Sequence, residues 1–590
     1  MSASKDKTNL EREESRIGLL TLLAVGIGFA GGLIAFALYH LIGLVTNLFY
    51  YGRFDFSFAS PQFNHLGALV IVLPVVGGLV AGLMIKYGST RIIGHGIPET
   101  MESILLNRSK VEPKVGVLKA VSAAVTIGSG QPFGAEGPII QTGGAFGSFV
   151  GQRISMTGAE RKILLASGAA AGMAATFGTP IAAILLAIEL LLFEFRVKSL
   201  VPVAVAAAIG GWMHIYLISP QPLFQTPTFD FGGIPSLPFY VGLGLICGIL
   251  GSALSRGLYK TEGVFSKLKL GQPWLPAVGG LAVGVIGFAV PQVLGVGYDV
   301  IGGVLNGQFA VDVVLMILVA KAVAWLLAMG SQTSGGTLAP LFMIGGSMGY
   351  LFGSWVIALV PGLGVGPEVF AVAGMAAVFG TASRAPFTSI VFALEVTRDY
   401  QGVLPIIVTV VIAELVGEAL MEDSIMTERL SRRGLRVRNI YEYNPLRQIR
   451  VGSIMSAPVA SVDVGQPVVE IYKQMTSHDH PFNLRKRLIV TSAGKAVGVI
   501  GRDQVFAGAA SANSEMTAGE ACSKKFESMR QEEFAYDALR RMTLRDASFI
   551  VVTGEGGEVV GYLSRGDLVR ALRRKIEDET IVEKGGGSGT

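Results

Sequence analysis

Cysteine is nearly absent: the 590 residues contain two, Cys247 in an apolar run and Cys522 in a polar one. That excludes a small secreted domain held by a disulfide framework. Charge is scarce as well, at 15% of the chain against about 25% in soluble proteins. The net charge of +5 is small for this length and offers no basic face for nucleic acid. Histidine occurs at positions 40, 65, 95, 214, 478 and 480, never in an HExxH frame, which argues against an intramembrane metalloprotease. His478 and His480 sit in a polar loop and read as solvated, so no metal site is expected. The apolar segments also lack the clustered acids that a divalent-cation carrier needs. The opening MSASKDKTNLEREESR is too polar and acidic for a cleavable signal.

Apolar sequence is plentiful: 51% hydrophobic residues and a mean hydropathy of +0.55. The 78 glycines follow no triplet period and suit close helix packing in a bilayer. Apolar segments run from Ile17 to about Leu420 with short polar breaks. Ile17–Tyr51 and Leu66–Tyr87 are long enough to span. Val201–Ile218 and Ala371–Phe379 read as shorter or interrupted, a pattern tolerated only inside protein or beside a cavity. About ten or more membrane segments are expected. Lys5, Lys7, Arg12 and Arg16 precede the first run, and Arg429, Arg432, Arg433, Arg436 and Arg438 follow the last. The positive-inside rule then places both ends in the cytoplasm.

The apolar part is duplicated. Aligning Lys119 with Lys321 sets an offset of 202 (321 − 119) that also carries Gly128 to Gly330, Pro138 to Pro340 and Gly151 to Gly353. Gly172-Met173-Ala174-Ala175 falls on Gly374-Met375-Ala376-Ala377 in the same register. Four inserted residues then shift Pro180 onto Pro386 and Glu189 onto Glu395. Repeated halves of this kind meet near the bilayer midplane, with the transport site between them.

GSGQPFGAEGP, Gly128 to Pro138, sets one carboxylate, Glu136, among glycines and prolines ahead of an apolar segment that reads as a helix starting at Pro138. The free N–H groups and positive dipole of a helix start form an anion site. An acid in a membrane interior costs about 2.5–3.5 kcal/mol, and a helix N-terminus returns about 1–2 kcal/mol of it. Glu136 is therefore poised between bound and displaced, as a gate requires. The alternative is an ordinary first-turn acid facing water. Under the repeat register Glu136 falls opposite Leu338 in GGTLAP. Two equivalent helix starts then face one another with one carboxylate between them, which favours a specific role.

Beyond Arg450 a second duplication begins, soluble and α/β: each copy reads as helix, β-hairpin with a glycine turn, helix. The linker 431–450 is basic and reads as ordinary juxtamembrane flanking. The closing GGGSGT is set aside as an added tail.

GHGIPE (Gly94–Glu99), GAEGP (Gly134–Pro138) and GGTLAP (Gly335–Pro340) together resemble the GSGIP, GREGP and GxFxP motifs of the CLC family of chloride channels and proton/chloride exchangers. The tail resembles a CBS pair, which many of that family carry at this position. The resemblance implies an all-α polytopic membrane protein with inverted repeats, followed by a soluble α/β CBS domain pair. Its expected parts are a cytoplasmic segment 1–16, a pathway over 17–430 with halves at about 66–222 and 273–420, the linker 431–450, CBS copies over 451–512 and 513–578, and a tail 579–590. It further implies a homodimer in membrane lipid, one pathway per subunit for chloride or a similar anion, no required cofactor, and adenine nucleotide (ATP or AMP) at the CBS pair. Carried over by position, Glu136 is the gate, with Ala135 and Gly137 cradling an outer anion site. Thr337 and Leu338 supply N–H donors to a central site, and Gly94, His95, Gly96 and Ile97 begin the helix approaching it from the cytoplasm.

Several positions depart from the family pattern. The family's central serine is His95 here, a residue that either packs as an ordinary buried histidine or lines the path. The central tyrosine is Met426, whose thioether cannot donate a hydrogen bond. The arginine of GREGP is Ala135, which removes a charge from the outer mouth. The inner proton-transfer glutamate is replaced by Leu190, after Ile188-Glu189. Leucine cannot carry a proton, so the sequence favours passive, Glu136-gated conduction, with proton-coupled exchange as the alternative. Glu189 and its mate Glu395 read as shared fold residues such as helix caps or dimer-packing groups. Lys119 and Lys321 read as scaffold or snorkelling residues. In the second CBS copy Ser564 and Asp567 fit the family's nucleotide motif, although Ser564 is also a good N-cap.

Overall fold

The structure is a computed structural model that describes residues 2–154, 156–432, 446, 449–457, 460–478, 480–483, 485–510 and 515–574. The chain divides into two units, Met1–Tyr441 and Glu442–Thr590. Arg433, Arg436 and Arg438, most of the linker and the GGGSGT tail lie outside the described residues.

The first unit is helical. After α1 (Ser2–Tyr51), the first half holds α2 (Val72–Tyr87), α3 (Ile97–Leu106), α4 (Pro113–Gly128), α5 (Glu136–Arg153), α6 (Gly158–Phe177), α7 (Pro180–Leu186) and α8 (Val197–Leu217). A long α9 (Leu237–Lys267) leads to the second half. There α10 (Trp274–Ala289), α11 (Tyr298–Leu305), α12 (Val311–Gly330), α13 (Leu338–Leu359), α14 (Pro367–Ser383), α15 (Pro386–Thr397) and α16 (Val403–Leu420) repeat the series, before a short α17 (Glu428–Arg432). Prolines open α4, α7, α14 and α15, where the missing N–H has no helical partner to lose.

Among the described residues seven helices are long and apolar enough to cross a membrane, and four more are apolar but shorter. The count of ten or more segments is thus reached only with the short helices included. Val197–Leu217 is a full-length span, not the interrupted segment expected from Val201; Pro202 lies inside it and removes one helical hydrogen bond without ending the helix. α1 continues through the boundary expected at residue 17.

Paired helices α5 with α6, and α13 with α14, pack closely through small residues. A Cβ on Gly143 would stand 2.3 Å from the Gly168 carbonyl oxygen, and one on Gly345 would stand 2.5 Å from that of Gly374. Glycine is what lets these backbones touch.

The two buried lysines explain the register. The Lys119 ammonium donates to the Ile92 and Gly94 carbonyls at 2.9 and 2.5 Å, and that of Lys321 to Val293 and Gly295, both at 3.0 Å. Both are fully buried, so neither snorkels. Each clasps the loop that feeds the short helix of its own half, α3 or α11. The glutamates cross between halves: Glu189 accepts from the Phe387 and Thr388 N–H at 3.2 and 2.9 Å, and Glu395 from Ile181 and Ala182 at 3.0 and 2.8 Å. Each carboxylate caps the start of the other half's helix, α15 or α7, where orphan donors need an acceptor.

The second unit holds two three-stranded sheets. In the first copy β1 (Ser461–Asp463) runs parallel to β2 (Arg487–Ser492), which pairs antiparallel with β3 (Lys495–Gly501). In the second, β4 (Ser528–Arg530), β5 (Phe549–Thr553) and β6 (Val559–Ser564) repeat that arrangement. Helices Val468–Thr476 and Ala535–Leu544 connect the parallel strands. The leading strand of each copy is additional to the expected helix–hairpin–helix; its three residues are too few to show alternation in the sequence.

Candidate anion site

Two loops that the repeat makes equivalent meet at the centre of the first unit. Gly134 and Gly336 exchange backbone hydrogen bonds at 3.1 and 2.9 Å as an antiparallel bridge. This sets the starts of α5 and α13 against one another. α5 begins at Glu136, two residues before the expected Pro138, with Ala135 as its N-cap; α13 begins at Leu338 with Thr337 as its N-cap.

Glu136 does not face lipid or solvent: it is 1% exposed. One carboxylate oxygen accepts from the Leu338 N–H, and the other has no partner among the described residues. The carboxylate lies against the bridge itself. A Cβ on Gly134 would stand 2.0 Å from its Oε2, and one on Gly336 would stand 2.5 Å from its Oε1. Those two glycines shape the site, and the motifs contained them without marking that role. Lys321 acts electrostatically on the carboxylate.

His95 approaches from the opposite face. Gly94 and His95 belong to a loop and not to the helix they were expected to begin, since α3 starts at Ile97 after Gly96 with φ of 95°. That loop pairs in parallel with the stretch before Gly336: the Gly94 N–H donates to Thr333 O at 2.9 Å. The chains approach so closely that a Cβ on Gly137 would stand 1.6 Å from the His95 carbonyl oxygen. The His95 ring is 2% exposed, and its Nδ1 has no partner among the described residues. Glu99, Arg429 and Lys119 act on it electrostatically, and the Ile425 backbone lies beside it. Met426, fully buried, follows Ile425, so the residue in the family tyrosine's place lies near His95.

Two cavities flank this centre. One of about 710 Å³ is bounded by α3 and α17 and includes Ile93, Pro98, Glu99, Glu262 and Arg429. Arg429 is held there by Glu99 at 2.8 Å and by Glu262. The other, of about 400 Å³, includes Ala135, Tyr39, Tyr298, Asp299 and Asn306. Leu190, 3% exposed, lies on a π-helical turn, Ala187–Leu192. It faces a third cavity of about 200 Å³ with Arg384, Glu422, Asp423, Ser424 and Thr427.

Residues 77–418 match the family described as voltage gated chloride channel. The chain belongs to this CLC family of anion transporters. Residues 451–509 and 518–574 match the CBS domain. The chain is 30% identical over 366 residues to a ClcB-like chloride channel protein of Ralstonia nicotianae, a name itself given by likeness, covering 61% of this chain and 85% of that protein. It is 30% identical over 433 residues to the H(+)/Cl(-) exchange transporter ClcA of Salmonella agona, covering 72% and 90%. The fold is that of a slow cyanobacterial Cl-/H+ antiporter, with a TM-score of 0.62 and 23% identity over 70% of this chain and 97% of that one. This CLC protein is therefore an integral, multi-pass membrane protein of a family of transporters and channels, followed by a CBS pair.

In the CBS unit Asp567 lines a cavity of about 460 Å³ with Ser453, Ser456, Arg570 and Arg574. Its carboxylate accepts from the Ser564 N–H and hydroxyl at 2.7 and 2.6 Å, from Ser456 at 3.2 Å, and from Arg570. Burial pushes this carboxyl up, but the hydrogen bonds outweigh it and hold Asp567 below the usual carboxylate range. Ser564 spends its hydroxyl on Asp567 and does not line the cavity. The first copy closes its equivalent turn with a side-chain amide, Gln504, which accepts from the Gly501 N–H at 2.7 Å.

Proposed function

We propose that this chain exchanges protons for chloride, or a similar small anion, through one pathway per subunit of a homodimer. Glu136 serves both ions at one site. The observation that carries the reading is the Glu136 carboxylate on the Leu338 N–H across the repeat interface, with its second oxygen unpartnered: an acid held where an anion would bind. A hydrogen bond to a charged group is worth about 1.5–3 kcal/mol, similar to the cost of the buried charge. Either a competing chloride or a proton on the carboxylate is then enough to release it. The buried His95 lines the inner side of the central site, and Met426, unable to donate, leaves that site bound mainly through backbone donors.

The residues alone favoured passive conduction because Leu190 cannot carry a proton. Curated relatives named as proton/chloride exchangers support exchange instead. The small polar cavity beside Leu190 offers space for water to relay protons where the side chain cannot. Passive conduction remains the second reading, favoured by Leu190 itself. Cytoplasmic termini and adenine nucleotide at the Asp567 cavity belong to the same proposal; Arg570 and Arg574 there suit phosphate.

Proteoliposomes loaded with chloride and followed with chloride and pH electrodes decide between the two. With a potassium shunt to carry the compensating charge, exchange predicts proton uptake driven by the outward chloride gradient. Chloride efflux that needs the shunt and moves no protons would establish passive conduction.

A further inference from the structure

For an anion to pass, Glu136 must leave the Leu338 N–H, and an ionised carboxylate in a buried setting then needs another donor or a proton. The inverted repeat indicates where that donor is. Lys119 clasps the loop into α3 and Lys321 the loop into α11. Both loops end in a glycine of positive φ, Gly96 at 95° and Gly297 at 76°. The first helical residue is Ile97 in one half and Tyr298 in the other.

Tyr298 lines the 400 Å³ cavity together with Ala135, the N-cap residue directly before Glu136. Its ring is held edge-on by Phe177 and Phe224, at centroid distances of 6.2 and 6.5 Å. Its hydroxyl is buried with no side-chain partner among the described residues; the Ala135 backbone N–H lies beside the oxygen, leaving the O–H proton free to donate, and the Glu136 carboxylate acts on it. Neighbouring groups are already committed. The Asn306 amide donates to Gln225 and Gly302, the His214 Nδ1 is bonded to Ala175 O, and the Lys321 ammonium is held by its two carbonyls. Asp299 would repel a second carboxylate, and Tyr39 shares the cavity wall and acts on Tyr298.

We infer that the Tyr298 hydroxyl receives the displaced Glu136 carboxylate and holds the ionised gate open by donating a hydrogen bond to it. This rests on the reading of Glu136 as the gate. Without the hydroxyl, the displaced acid must be protonated to leave its site.

The test is chloride flux from full-length protein in liposomes across a pH series. Tyr298→Phe keeps the ring and removes the donor. Flux should fall about tenfold at alkaline pH and stay near wild type at acidic pH, moving the activation midpoint down by about one pH unit. In a Glu136→Gln background, Tyr298→Phe should change nothing. An unchanged profile, an equal loss at every pH, or an effect that persists in the Glu136→Gln background would each overturn the inference. If Glu136→Gln alone leaves the wild-type pH profile intact, the gate reading itself fails, and this inference fails with it.

Discussion

In one half of the membrane unit a lysine clasps two loop carbonyls, a glutamate caps the opposite half's short helix, and glycines let α5 touch α6. The other half repeats all three with Lys321, Glu395 and the α13–α14 pair. The halves part company at the pathway. Glu136 stands opposite Leu338, and Tyr298 opposite Ile97. Symmetric residues hold the two halves in register, while asymmetric ones leave the shared centre with one carboxylate, on which the proposed exchange rests. Charge alone does not reveal function here, since the buried Lys119, Lys321 and Glu189 and the half-buried Glu395 serve the scaffold.

The contrast can be broken in order of expected effect. Glu136→Gln removes the asymmetric acid and should abolish proton movement and flatten the pH dependence of chloride flux; proton-coupled flux of wild-type size would remove Glu136 from the account. Gly134→Ala comes next. The three atoms nearest the added Cβ all belong to the Glu136 side chain, the first at 2.0 Å, Oε2, so it should eject the carboxylate while leaving the bridge intact. Flux at neutral pH should rise severalfold with a weakened pH dependence, and unchanged flux would mean that the carboxylate need not rest there.

Scaffold changes should act on both halves alike. Lys119→Met and Lys321→Met each leave two carbonyls without a donor, at a cost of about 1–3 kcal/mol per group, read as lower thermal stability in detergent. Lys321→Met should also alter the pH profile of flux, because Lys321 acts on Glu136; Lys119→Met should not. The smallest effect lies in the CBS unit. Asp567 sits below its ordinary range in the folded state, so its stabilisation is present above the unfolded value near about 3.9 and is lost as pH falls through the lower folded value. Asp567→Asn should remove that acid-side step from the melting curve and weaken any binding of adenine nucleotide.

The membrane fold and family were legible because glycine, proline and lysine keep one register over both halves, and few arrangements satisfy such a pattern. Lys119 and Lys321 were visible as a symmetric pair, but their carbonyl partners were not, since backbone acceptors leave no trace in side-chain identity. Tyr298 was missed for a related reason. It opens the second half's short helix, where the repeat slips to an offset of 201 (295 − 94) from 202, and only the matching lysine clasps and glycine caps reveal that position. The start of α5 was misplaced by two residues because first-turn prolines mark a helix start only within a turn, and that of α3 by three because it was carried over from the resemblance by position and not read from a helix-start signal. The choice between conduction and exchange turned on Leu190, a residue whose chemistry describes what a side chain cannot do and leaves out water.

The central claim is competition between the Glu136 carboxylate and a permeating anion for the Leu338 N–H. Anomalous diffraction from crystals grown in bromide, for wild type and Glu136→Ala, tests it directly. The account predicts a bromide peak at the Leu338 N–H in Glu136→Ala and none there in wild type with the carboxylate in place. A peak at that position in both proteins, or in neither, would contradict it.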